Sequence, residues 1–379
     1  MKKIAIVVQR FGEEIFGGAE RHAFVLAKKL SKHLDVTVLT TCAKDYYSWK
    51  NEYFAGLSFV DGIRTIRFET DFSRNKMEFD KFSGEVFSNP SDLKINEDWM
   101  KAQGPYSSDL FDFLSENDGK YDAFVFMTYL YASTVFGSRR IQKSKKFLIP
   151  TAHDEKPIYL PIFKDVFSCF DGLIFNTDAE RTFVHTLFPG LAIPEIVMGI
   201  SVEVPDISKD SVSLGKRASY IGRIEENKGL GELFDYWEKV DKLFSAELVV
   251  AGERYMKIPK DVKYLGKLSE DRKYKLITES TFIIVPSKFE SLSLLLLEAF
   301  SQKKPVLVNG KSQVLTDHCL KSNGGLWYDD FEDFEQCVKF LLENEDIACK
   351  MGENGYRYFK ENYDFEVLIN KFLDFVYGK

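Results

Sequence analysis

The sequence is short of the residues that build metal sites, disulfide frameworks and nucleic-acid surfaces. Its five cysteines, Cys42, Cys169, Cys319, Cys337 and Cys349, are scattered and form no CxxC pair. That argues against both a zinc site and a disulfide framework, and it suits a reducing compartment. The histidines, His22, His33, His153, His185 and His318, show no metal-ligand spacing either. Basic residues are outnumbered: 51 Lys and Arg against 58 Asp and Glu leave a net charge of −7. No global positive field exists to hold nucleic acid. Long apolar runs are missing too. Met1-Lys2-Lys3 leads into an apolar stretch at 4–8, but charge returns at Arg10, too soon for a signal peptide. The run at 292–297 ends at Glu298, well short of the roughly 20 residues that span a bilayer. A cytoplasmic protein is expected, with peripheral contact at the inner face of the membrane left open.

What is present is ample material for a core. Among 379 residues there are 34 Phe and 18 Tyr, a content that disordered chains lack. The length favours two domains. Short apolar runs at 4–8, 36–41, 63–68, 123–127, 146–149 and 173–175 read as strands, with a helix at 19–30. The runs are continuous rather than alternating, so both strand faces are covered, as in a parallel sheet. After about residue 200 the series restarts. Strands are expected at 218–221, 248–250, 282–285 and 306–308, and helices at 229–243, 270–279, 291–301, 331–344 and 347–361. Segment 200–216 reads as the linker. Two βα series in succession predict an α/β chain of two Rossmann-like doubly wound domains, residues 1–200 and 201–362, with ligands at the carboxyl ends of the strands.

Four segments carry candidate chemistry. In Gly222-Arg223-Ile224-Glu225-Glu226-Asn227-Lys228-Gly229, two cations sit at a strand-to-helix turn. Arg offers a bidentate fork and Lys a point charge, which suits a diphosphate. The bland alternative, cations balanced by Glu225 and Glu226, weighs equally. In the second segment Glu290 is expected at a helix start, where the dipole favours a carboxylate. Glu298 lies inside an apolar helix, where a carboxylate needs a partner or a hydroxylated ligand. A ligand role is favoured for Glu298 over a structural ion pair. The third is the adjacent pair Gly17 and Gly18 before a helix, which lets backbone approach a ligand; a plain loop is as good a reading. It is not GxGxxG, so a dinucleotide site has no support. The fourth is His153, just past a strand end, placed to touch a sugar hydroxyl or a phosphate or else merely structural.

Together these strings resemble one family, the retaining glycosyltransferases of the GT-B fold that include sucrose synthase and phosphatidylinositol mannosyltransferase (family 4, glycosyl transferases group 1). The motifs are Gly-Gly-Ala-Glu at 17–20, the 222–229 segment, Asn176-Thr177-Asp178-Ala179-Glu180, the turn at Tyr264-Leu265-Gly266, and Glu290 and Glu298 with seven residues between them. The resemblance implies roles by position. Arg223 and Lys228 would grip the donor diphosphate. Glu298 would hold the ribose hydroxyls, and Glu290 and His153 would lie near the donor sugar. Gly17 and Gly18 would close over the diphosphate, with Gly222 beside it. Lys267 and Leu268 would lie near the base. Leu292, Ser293 and Leu294 would present backbone amides to the sugar. Arg223, Lys228, Glu290 and His153 are the catalytic candidates. The resemblance also implies that the last helix, 363–379, returns to the N-terminal domain. Leu292-Ser293 departs from the family's usual Phe-Gly, which puts the choice of sugar in doubt. Gln302-Lys303-Lys304-Pro305 departs from its small-residue-Gly-Lys-Pro.

The implied reaction moves a hexose from a UDP-sugar to a glycan or lipid-linked acceptor, with retention and without a metal. The nucleotide sugar is then a substrate, and no cofactor is expected. Positive groups would stabilise charge on the departing diphosphate more in the transition state than before it. A nucleotide-sugar epimerase and a non-catalytic nucleotide-sugar-binding subunit are the rival readings, with an NAD oxidoreductase behind them for want of the glycine fingerprint. The basic run Arg139–Lys146 could rest on anionic lipid, although a solvated helix end is favoured. Gln103-Gly104-Pro105-Tyr106 reads as a turn that shapes the acceptor side at most.

Overall fold

The computed structural model describes residues 1–15, 17–202 and 215–378. Most of the expected linker, 203–214, and Phe16 of the Gly-Gly segment lie outside the described residues. The chain folds as two compact units: Met1–Ile200 together with Leu368–Lys379, and Ser201–Val367.

The first unit is built on β1 (Lys3–Val7), β2 (Asp35–Thr41), β3 (Gly56–Val60), β4 (Ile63–Phe68), β5 (Ala123–Met127), β6 (Lys145–Ile149), β7 (Gly172–Phe175) and β8 (Glu195–Val197). They lie in the order β3-β4-β2-β1-β5-β6-β7-β8. All neighbours run parallel except β3 and β4, whose antiparallel register pairs Val60 with Ile63. The two residues between them, Asp61 and Gly62, both have positive φ, 48° and 77°. That is the backbone of a two-residue hairpin turn, and the Asp-Gly dipeptide supplies it. The sheet is therefore mixed at one edge, where sequence patterning gave a parallel one. β3 escaped notice because Leu57 and Phe59 are exposed and leave no buried run.

Among the described residues, the helices of this unit ahead of the last helix are α1 (Gly18–Leu30), α2 (Lys76–Ser88), α3 (Leu93–Gln103), α4 (Ser108–Asn117), α5 (Ala132–Ser138), α6 (Ile162–Ser168) and α7 (Asp178–Leu187). Asn75, Asp92, Ser107 and Thr177 cap α2, α3, α4 and α7 by accepting hydrogen bonds from first-turn amides. The core gathers Phe124, Phe126, Phe163, Phe167 and Trp99 on one face of the sheet.

The second unit carries β9 (Arg217–Ile221), β10 (Glu247–Ala251), β11 (Lys263–Tyr264), β12 (Phe282–Val285), β13 (Val306–Asn309) and β14 (Gly325–Tyr328). Its order is β11-β10-β9-β12-β13-β14, parallel throughout. Its helices are α8 (Leu230–Phe244), α9 (Glu270–Glu279), α10 (Leu294–Ser301), α11 (Gln313–Ser322), α12 (Phe331–Glu343) and α13 (Glu345–Asn362). The chain runs from β9 out to β11, then crosses back to β12 on the other side of β9. The β9–β12 boundary is thus a topological switch point, where loops diverge and leave a crevice.

The last helix, α14 (Phe365–Tyr377), contributes its final turns to the first unit. Phe375 packs on Phe147 with ring centroids 5.6 Å apart. Gly172 makes room for it, since a Cβ there would stand 2.8 Å from the Phe375 ring.

Candidate functional site

Two loops meet at the switch point of the second unit, one after β9 and one after β12. Glycine makes the approach possible. Gly229 has φ 77°, and a Cβ on it would lie 2.2 Å from the Pro286 carbonyl oxygen. Gly252, at φ 135°, brings in the loop after β10: a Cβ there would stand 1.9 Å from the Gly222 carbonyl oxygen. No other residue type tolerates either position without moving backbone.

These approaches bring together Gly222, Arg223, Lys228 and Glu290 of the expected donor residues. Lys228 Nζ lies 2.8 Å from Glu290 Oε1. Arg223 reaches Glu225 at 3.2 Å. Beneath them sits buried Tyr220, whose hydroxyl donates to the Arg223 carbonyl at 2.9 Å. Burial, with Glu290 next in weight, drives the Tyr220 hydroxyl pKa far upward and keeps it a neutral donor. Gly222 fits because a Cβ on it would meet that hydroxyl at 2.5 Å. Gly222, Arg223, Lys228 and Glu290 therefore form one cluster around Tyr220, a residue to which the sequence reading gave no role.

Glu290 does not stand at a helix start, as the sequence suggested. Helix α10 begins at Leu294, and Ser293 caps it by accepting from the Leu296 amide. Glu290 lies in the loop before that cap, so Lys228 rather than a helix dipole compensates its charge. Ser293 occupies φ 76°, a region that glycine fills without strain. The family's glycine is absent here, yet the backbone keeps the conformation a glycine would give. Leu292 is buried, and Leu294 opens the helix.

Glu298 forms a second centre. It is buried in α10 and takes Lys273 of α9 at 2.7 Å, while Lys273 also reaches Glu270 at 2.9 Å. Glu298 thus makes the ion pair that stood as the alternative to a ligand role. Two neighbouring carboxylates raise the Lys273 pKa against the opposing effect of its burial, the largest single influence. Leu268 packs on Val249, Ala251 and Leu276 just ahead of α9, and Lys267 beside it is exposed. A third carboxylate, Glu232 of α8, accepts from Lys288 at 2.9 Å and from Asn309 at 3.0 Å, tying the loop after β12 and the end of β13 to the helix.

The remaining candidates belong to the first unit. Gly17 precedes α1 in extended backbone, and a Cβ there would stand 1.8 Å from Glu20 Oε2. Its smallness serves the packing of that carboxylate. Gly18 is open on all sides. His153 lies 3.6 Å from Glu155 and 3.4 Å from the Thr151 carbonyl. The backbone that carries it is clamped by Glu180, a fully buried side chain that accepts from the amides of Ala152 and Asn176, each at 2.6 Å, and from Thr177. Burial nevertheless pushes the Glu180 carboxyl up to about 8. Glu180 was legible only as part of a family string. Its clamp joins positions 28 residues apart, which spacing along the chain cannot show.

Of the weaker segments, Gln103-Gly104 is a packing element. The Gln103 carbonyl accepts from Trp49 Nε1 at 2.7 Å and from Arg74 at 3.0 Å. In the basic run, Arg139 pairs with Glu97, and Lys146 donates to the carbonyls of Ser138 and Ile141. Among the described residues, no helix is long and apolar enough to cross a membrane.

Residues 210–358 match the family model described as Glycosyl transferases group 1. The matched stretch lies within the second unit. An uncharacterized glycosyltransferase of Methanocaldococcus jannaschii is 25% identical over 155 residues, a stretch that spans 38% of this chain and 42% of that protein. Among solved structures, sucrose-phosphate synthase from Thermosynechococcus elongatus is similar over 98% of this chain and 97% of its own, with a TM-score of 0.73 and 14% identity. Anabaena Alr3699/HepE in complex with UDP-glucose is similar over 100% of both chains, with a TM-score of 0.73 and 13% identity. At such identities the likeness establishes the fold: paired Rossmann-like α/β units, the GT-B architecture.

Proposed function

We propose that this group 1 domain makes the chain a retaining glycosyltransferase of family 4 type, which moves a hexose from a UDP-sugar, such as UDP-glucose, to a glycan or lipid-linked acceptor. The observation that carries the reading is the cluster at the β9–β12 switch point, where Arg223, Lys228 and Glu290 meet on loops that glycine holds together. The neighbour solved with UDP-glucose supports the choice of donor.

In this reading Glu290 keeps the Lys228 ammonium in place until a donor arrives. The diphosphate then competes for that ammonium and for the Arg223 guanidinium. As the bond from the anomeric carbon to the diphosphate breaks, negative charge grows on the leaving oxygen. Cations fixed in advance favour that charge without reorganising. Glu298, released to the ribose hydroxyls, would leave Lys273 on Glu270. The acceptor hydroxyl attacks from the side the diphosphate leaves and gives its proton to the leaving phosphate, which retains configuration. No metal takes part in these steps.

The test is release of UDP from UDP-glucose in the presence of oligosaccharide acceptors, with the anomeric configuration of the product read by NMR. The double variant Arg223→Ala, Lys228→Ala should lose at least about 100-fold in turnover while its circular dichroism stays unchanged. Near-normal turnover by that variant rejects the diphosphate assignment. Epimerised sugar formed without an acceptor would favour the epimerase instead, and UDP binding without any turnover the non-catalytic subunit.

A further inference from the structure

The first unit holds a cavity of about 470 Å³ between the end of α2 and the segment that follows β6. Phe87, Ser88 and Pro90 line one side, and Lys156, Tyr159 and Leu160 the other. The volume falls within the range of small-molecule sites. We infer that this cavity binds a sugar ring of the acceptor, next to the His153 loop.

The walls are fixed by bonds that have nothing to do with a ligand. Trp99 of α3 donates to Ser83 of α2 at 2.9 Å, which holds the α2 wall. On the other side Leu160 is buried in the core, and Phe87 packs against that same core. The segment 152–160 is pinned along its length. Glu180 takes the Ala152 amide at 2.6 Å, Tyr129 donates to Glu155 at 2.6 Å, and Tyr159 donates to Asp154 at 2.7 Å. The last of these places the cavity wall one hydrogen bond from the neighbour of His153.

What the walls present is a carbohydrate's complement. The Tyr159 ring is 53% exposed although its hydroxyl is occupied, so a flat apolar face is left uncovered. Sugar rings carry an apolar face of C–H groups that lies against aromatic rings, and hydroxyl edges that need donors and acceptors. Lys156 is exposed and makes no ion pair among the described residues, and opposite it the Ser88 hydroxyl, which donates to the Gly84 carbonyl at 2.8 Å, keeps its acceptor capacity. A free ammonium donates to sugar hydroxyls and favours sugars bearing a carboxylate or phosphate. The paired cations that suit a diphosphate are absent from this wall, so the cavity is not a second donor site. The word acceptor rests on the transferase reading; the carbohydrate chemistry does not.

Saturation-transfer NMR on the full chain tests this, with a panel of methyl glycosides of glucose, galactose, mannose, N-acetylglucosamine and glucuronic acid as probes. At least one glycoside should bind the unaltered protein. Its affinity should fall at least about tenfold in Tyr159→Ala and in Lys156→Ala. Tyr159→Phe keeps the ring and should bind as the parent does. UDP binding, titrated in the same samples, should be unchanged in all three variants. No binding of any glycoside, or equal binding in Tyr159→Ala and Lys156→Ala, overturns the inference. Absence of UDP binding in the unaltered protein would count against the donor reading alone.

Discussion

Both units carry a cation and a carboxylate at the switch point of the sheet, beside β1 in the first and beside β9 in the second, and they use them in opposite ways. In the first unit the loop after β1 supplies Arg10, which grips Glu20 with two nitrogens at 2.9 and 2.6 Å. It also donates to the Lys44 carbonyl and stacks near Tyr46 and Trp49. Those side chains are only 11% and 6% exposed. In the second unit Lys228 reaches Glu290 at 2.8 Å with the side chains 29% and 16% exposed, and Arg223 is 35% exposed. The first pair is sealed and pins α1 to the sheet. The second is solvated enough to exchange partners. One topology thus yields a structural lock in one unit and, in the proposed reading, a place for an anionic ligand in the other.

Breaking the lock should cost the most. Glu20→Ala leaves Arg10 buried without its partner, at about 3–5 kcal/mol, measured as a fall in the midpoint of chemical denaturation. Gly252→Ala comes next, because its Cβ would overlap the Gly222 carbonyl oxygen. A loss of roughly 3 kcal/mol and weakened UDP binding should appear together, since the same contact shapes the donor loops.

Glu180 sharpens the comparison through pH. Its carboxyl is raised from 4.5 to about 8, so the folded state holds the proton more tightly than the unfolded chain. Its contribution is therefore complete below about pH 4.5 and is lost as pH rises through about 8. Relative to Glu180→Gln, the parent should lose melting temperature between pH 5 and 9. A difference independent of pH would show that its three amide donors outweigh burial.

Ser293→Gly should have a small effect of the opposite sign. It relieves a positive φ but loses the capping bond to the Leu296 amide, so the net should be a stabilisation of the second unit by less than about 1 kcal/mol in thermal melts. Smallest in stability is Glu290→Gln. Losing one exchangeable ion pair should shift the midpoint by less than about 1 kcal/mol, yet turnover should collapse. A large stability loss there would mean that this pair, too, is a lock.

Much of the second unit was legible because its strands are buried on both faces and read as unbroken apolar runs. Strand 282–285 and helix 270–279 were read to the residue. In the first unit β8 and α2 to α7 were missed, although Asn75, Asp92 and Ser107 stood where caps belong, and in the second β11, β14 and α11 were missed. Asp61-Gly62 was the one strong signal for β3. Within the site, residue types and spacing exposed Arg223, Lys228, Glu290 and Glu298. Their partners were not readable. Tyr220 serves through the Arg223 backbone, Lys273 sits 25 residues from Glu298, and Lys228 finds Glu290 across 62 residues. Only folding brings such pairs together. Glu290 was placed on a helix because the apolar run at 292–297 hides the cap at Ser293.

The most direct measurement is calorimetric titration of UDP into the intact protein and into Arg223→Ala and Lys228→Ala. An exchangeable pair at the second switch point predicts clear binding by the parent and at least about tenfold weaker binding by each variant, with unfolding midpoints unchanged. Equal UDP affinity in all three proteins would contradict it.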